Sequence, residues 1–139
     1  MKVSAQLINT YNRNKINLQT NENVHSINIP SKQNGYGSST NGGELLFLAL
    51  ATCYCNDIYR EAAKRRIKIK KVEVIVNGEF GVEGEPAKNI SYSAKVETEA
   101  REEEILNLMR HTDTVAEIQN TLRSLTPVNL ERIEILSNK

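Results

Sequence analysis

The stretch that decides the fold reads Gly42-Gly43-Glu44-Leu45-Leu46-Phe47-Leu48-Ala49-Leu50-Ala51-Thr52-Cys53-Tyr54-Cys55. Asn41 suits a helix N-cap, and Glu44, three residues later, completes a capping-box pattern. The pattern predicts a helix from about Glu44 to Arg66. From Leu45 to Cys55 this helix is apolar on all sides, with one Thr inside. That run is far shorter than the roughly 20 residues needed to span a bilayer. A helix apolar all round is buried in the middle of something. Further on it turns amphipathic, with Ile58, Tyr59, Ala62 and Ala63 expected inward and Arg60, Glu61, Lys64 and Arg65 outward. A chain of 139 residues struggles to cover such a helix alone, so a second subunit is expected to supply the cover. A monomeric mass by light scattering at micromolar concentration would overturn that expectation.

Working outward, residues 3–9, 15–20 and 24–29 alternate apolar and polar positions and read as an antiparallel meander. Its turns are Asn12-Arg13-Asn14 and Asn21-Glu22-Asn23, because Asn tolerates a left-handed backbone. Pro30 stops the third strand. Residues 31–43 form a Gly/Ser/Asn loop. Beyond the helix, 67–78 and 90–98 read as strands, with Val72, Val74 and Val76 on one face of the first and Tyr92, Ala94 and Val96 on one face of the second. Gly78, Gly81, Gly84 and Pro86 mark the connection. Residues 101–111 and about 114–125 read as helices, the second capped by Thr112 or Asp113 with a stripe of Val115, Ile118, Leu122 and Leu125. Residues 130–136 close the chain as a strand. The order β-β-β-α-β-β-α-α-β is α+β, in a single domain over 1–139.

Composition removes several classes. There are 18 Lys+Arg against 17 Asp+Glu, for a net charge of +1. That balance argues against a surface built for nucleic acid or anionic lipid. Lys64 to Lys71 is strongly basic, but it suits a helix C-terminus followed by the wet face of a strand, and few aromatics are present to stack bases. No partner of nucleic acid or membrane type is expected. The N-terminus has no apolar signal region, so a cytoplasmic location and reduced thiols at Cys53 and Cys55 are expected. Those two Cys with His25 and His111 make no zinc spacing, and no cofactor or metal is expected.

The two Cys point about 200° apart on the helix. Cys55 lies on the apolar stripe of Leu48, Ala51, Ile58 and Ala62, the place of a core thiol. Cys53 lies where its face changes from Leu46, Ala49 and Leu50 to Asn56, Asp57 and Arg60, so it is the one placed to meet a cleft. Arg60 leans toward it and favours a thiolate, while Asp57 disfavours one. A reactive Cys53 therefore needs a cation from elsewhere, and Arg13 is one candidate.

The run Gly42 to Tyr54 resembles the central-helix motif of the OsmC/Ohr family, in which a Gly/Asn/Pro loop leads into Glu-Leu-Leu, small apolar residues and a Cys. Glu61-Ala62-Ala63-Lys64-Arg65-Arg66-Ile67 with its Val-rich strand, Asn120-Thr121-Leu122 and the element order are similar to the same family. The resemblance implies an intertwined homodimer with two long buried central helices, and reduction of organic hydroperoxides. Cys53 matches the attacking Cys, which becomes a sulfenic acid. Glu44 and Arg13 would orient thiolate and peroxide, although a capping box explains Glu44 equally well. The family's resolving Cys-Pro is replaced by Ala116-Glu117, so the cycle would need an external thiol as reductant. The alternative is a non-catalytic relative that binds a small apolar ligand at the dimer interface.

Overall fold

Two tight Asn turns fold the N-terminal residues into a meander. In the computed structural model, which describes residues 1–136, the first three strands are β1 (Val3–Thr10), β2 (Arg13–Thr20) and β3 (Asn23–Ile27), antiparallel in the order β1-β2-β3. Thr10 pairs with Arg13 and Thr20 with Asn23, so each turn has two residues. Asn12 and Asn21 carry them at φ 59° and 53°, a backbone region that Asn enters more readily than most residues. The strands match the expected positions, with the third ending at Ile27 rather than 29.

Residues 1–47 and the chain from Leu48 onward form two compact units. In the first, the loop after β3 closes on the β1–β2 turn. Asn9 Nδ2 donates to Asn14 Oδ1 (2.7 Å), and Gly37 N–H donates to Asn9 Oδ1 (3.2 Å). Gly35 has φ +92°, and a side chain there would strike the Tyr11 ring. Ile16 and Ile29 are buried, whereas Val3, Leu7 and Val24 are each more than half exposed.

The long helix is α1, Gly42–Lys64. Its C-terminus closes with Ile67 N–H on Ala62 O (2.9 Å) and Arg66 N–H on Ala63 O (3.1 Å). This is the paired closure of a Schellman motif, with Arg66 at φ 57° where glycine usually stands. In the second unit β4 (Ile69–Glu79) and β5 (Lys88–Thr98) form an antiparallel hairpin, followed by α2 (Glu102–Val115) and α3 (Glu117–Arg123). Tyr54, Ile58 and Ala62 of α1 meet Ile105 and Leu108 of α2, and Val72, Val74, Tyr92, Ala94 and Val96 of the hairpin pack against them. The alternation read from the sequence thus places the correct hairpin face on the core.

Within the single chain the apolar segment Leu45 to Cys55 of α1 is not covered on every side, for Leu48 is 59% exposed. Four expectations need correction. On the amphipathic part, Glu61 is buried, while Tyr59 and Ala63 are exposed. Glu61 tolerates burial because Lys64 Nζ (2.8 Å) compensates its charge and His111 Nε2 (3.1 Å) hydrogen-bonds its other oxygen. Thr112 and Asp113 do not cap the last helix but continue α2, and the break falls at extended Ala116. The Thr112 hydroxyl donates back to Leu108 O (2.7 Å), so it has no part in a cap. Leu122 and Leu125 of the expected stripe are exposed, and Gln119 is buried instead. Finally, residues 130–136 form no strand. No strand among the described residues offers them a ladder, and Leu130, Ile133, Ile135 and Leu136 stand exposed.

Candidate thiol site between α1 and α3

Cys53, Asp57 and Arg60 share one face of α1, at helical spacings of four and three residues. The extended Ala116, fully buried, turns the chain so that α3 starts against this face. Glu117, its first residue, lands on the sulfur. Cys53 Sγ lies 3.6 Å from Asp57 Oδ2 and 3.7 Å from Glu117 Oε2, and donates toward both. Arg60 Nη1 bridges the carboxylates, 3.0 Å from Asp57 Oδ1 and 3.2 Å from Glu117 Oε1. The cation weighed for the thiolate is therefore committed to the two acids.

Burial pushes the Cys53 thiol above its ordinary range; the Ile118 backbone N–H pulls the other way, and the charges of Asp57 and Glu117 add to the rise. Asp57 is also pushed up, by burial first and then by its hydrogen bond and repulsion with Glu117, against the pull of Arg60. Glu117 is held low, by its own backbone N–H first and then, against some burial, by Asp57 and Arg60. The site therefore holds the thiol as a protonated donor and keeps Glu117 ionised. Cys53 Sγ and the two carboxylates lie within 4.8 Å of one another, a donor set that could hold a metal ion, but a metal there would have to displace Arg60.

The other sequence-predicted residues lie elsewhere. Glu44 closes a reciprocal capping box: Glu44 N–H donates to Asn41 Oδ1 (2.8 Å) and Asn41 N–H to Glu44 Oε1 (3.1 Å). Arg13 opens β2. Both belong to the first unit and Cys53 to the second. Cys55 is half-buried beside Ala51, Thr52, Val72 and Val74. In the sequence Glu117 is marked only by standing in place of the family's proline. It meets Cys53 across 64 residues, a distance that no local spacing bridges.

A family model described as OsmC-like protein matches residues 35–131, from the loop before α1 to beyond α3. This chain belongs to the OsmC-like protein family. Solved structures share its fold. The OsmC like protein from Mycoplasma pneumoniae is 16% identical, covers 90% of this chain and 88% of its own, and has a TM-score of 0.61. An organic hydroperoxide resistance protein from Elizabethkingia anophelis is 16% identical over 88% of this chain and 89% of its own, with a TM-score of 0.58. An organic hydroperoxide resistance protein from Legionella pneumophila is 17% identical over 88% and 90%, with a TM-score of 0.57. No curated protein sequence matches this chain. Among the described residues of this OsmC-like chain, no helix is long and apolar enough to cross a membrane.

Proposed function

We propose that this OsmC-like protein reduces organic hydroperoxides through Cys53 in a one-cysteine cycle, as a cytoplasmic homodimer. The observation that carries the reading is the half-buried Cys53 sulfur at the start of α3, where a backbone N–H of that helix favours its thiolate. Cys53 loses its proton to solvent, and the thiolate attacks the distal oxygen of the hydroperoxide. The S–O bond forms as the O–O bond breaks, leaving Cys53 sulfenic acid; the departing alkoxide takes a proton and leaves as the alcohol. An external thiol attacks the sulfenic sulfur, releasing water and giving a mixed disulfide. A second external thiol then attacks that disulfide, restoring Cys53 and carrying the oxidising equivalents away as its own disulfide. Glu44 and Arg13 are assigned to orienting the peroxide by family resemblance.

The homodimer rests on exposed apolar surface. Val3, Leu7 and Val24 of the meander, Leu48 of α1, and Leu130, Ile133 and Ile135 of the tail all face solvent in a single chain. Exposed apolar side chains in such number support a contact with another chain.

A second reading is a relative without turnover that binds a small apolar ligand. The two carboxylates that hold the Cys53 proton favour it. Turnover of an organic hydroperoxide with a small dithiol, in wild type and in Cys53→Ser, separates the two. Consumption by wild type alone supports the cycle. Equal, background consumption by both proteins supports the ligand-binding reading.

A further inference from the structure

A cavity of about 220 Å³ lies between α1, β5 and α3, and Cys53 is not among its lining residues. Leu50, Ile90 and Leu122 give it apolar walls, and Gln119, Tyr92 and Arg123 give it polar ones. Gln119 is 4% exposed. Its Nε2 donates to Leu50 O (3.0 Å), while its Oε1 is buried without a partner. A buried acceptor left unmade is costly, and such groups are rare in folded proteins. The other polar groups are already engaged. Tyr92 donates its hydroxyl hydrogen to Asp113 Oδ1, which keeps only acceptor capacity on its oxygen. Arg123 Nη2 lies 2.7 Å from the same carboxylate oxygen, and Nη1 donates to Asp113 O (3.1 Å) and Asn120 Oδ1 (3.2 Å), so its charge is matched within the chain.

The geometry points to a binding site for a small neutral molecule, an apolar body of roughly one ring carrying a single O–H or N–H group that donates to Gln119 Oε1. Size and charge set this class. An apolar cavity of about 150 Å³ takes a benzene ring, so this one has room for a ring and a short polar arm. An anion would find acceptors and an already neutralised guanidinium, and a pure hydrocarbon would leave the Gln119 oxygen unanswered. The site lies within one chain and does not depend on the thiol chemistry proposed for Cys53.

Benzyl alcohol and toluene are suitable probes, because they differ in the donor and share the ring. Each would be titrated into the isotope-labelled full chain and followed by amide and methyl chemical shifts. The expected result is saturable benzyl alcohol binding that moves Leu50, Ile90 and Leu122, with toluene about tenfold weaker, since the donor's absence leaves a buried acceptor unpaired. Gln119→Leu should abolish or reverse that preference. Leu122→Trp, a substitution at a position 36% exposed, should fill the cavity and remove binding of both probes while the remaining spectrum stays dispersed. If Gln119→Leu does not fold, the contrast between the probes in wild type and the Leu122→Trp variant decide. No saturable shift at these residues would overturn the proposal. So would equal affinity for both probes in wild type, or full binding by Leu122→Trp.

Discussion

At Cys53 the competition is between one backbone N–H that favours the thiolate and two carboxylates, with burial, that oppose it. Glu117 is the more exposed of the two acids, so its charge can be removed with little effect on folding. Glu117→Gln should lower the Cys53 pKa and speed its alkylation near neutral pH by about threefold or more, since one like charge is lost and Arg60 is partly released. Alkylation rates of the two proteins check this; an unchanged or slower rate in the variant would mean that Glu117 does not hold the proton. Folding is linked to the same ionisation. A thiol whose pKa is raised in the folded state stabilises the fold while it is protonated, and that contribution is lost as pH rises through the raised value. Glu61 has the opposite sign. Lys64 holds it below the carboxylate range, with His111 helping against burial, so its contribution is present at neutral pH and is lost in acid.

At the level of elements, the turn that closes α1 holds a strained residue. A left-handed non-glycine residue costs roughly 1 kcal/mol or more, and Arg66 is one, at φ 57°. Arg66→Gly should therefore stabilise the protein by about 1 kcal/mol, read as a higher denaturant midpoint at unchanged slope. A lower midpoint would show that the arginine side chain contributes more than the strain costs. Much of this level was legible in the sequence, because the relevant signals are local. The Asn turns at Asn12 and Asn21, the Asn41–Glu44 box and the alternation of Val72, Val74 and Val76 each act within a few residues. The boundary between α2 and α3 was not legible. Thr112 and Asp113 have the chemistry of caps, but in the fold one back-bonds to Leu108 and the other binds Tyr92 and Arg123, the latter contacts fixed only by tertiary structure. Glu117 at Cys53 was hidden for the same reason, being brought there by the turn at Ala116.

For the whole molecule, the tail after α3 carries β-branched and other large apolar residues, Leu130, Ile133, Ile135 and Leu136, but has no ladder among the described residues. A strand needs a neighbour for its backbone groups, and the proposed homodimer would supply one. Ending the chain after Leu125 should then shift the mass in solution from dimer to monomer, or to aggregate, at micromolar concentration. Ile133→Asp should weaken the dimer in the same direction. Multi-angle light scattering on the three proteins is the check. A full-length monomer, or a truncated protein that stays dimeric, would remove the tail from the interface.

In the proposed cycle Cys53 attacks the peroxide, and Asp57 and Glu117 hold its proton until then. Single-turnover oxidation by an organic hydroperoxide, with a sulfenic-acid trap present and intact mass as the readout, tests both parts across about pH 6 to about pH 10. A single trapped adduct is expected on wild type and none on Cys53→Ser. The rate should climb about tenfold per pH unit through neutrality and level off only above the ordinary thiol range of roughly 8.5. An adduct that forms at a constant rate from neutral pH upward would contradict the role of the carboxylates. No adduct at any pH, with the thiol still reduced, would contradict the chemistry itself.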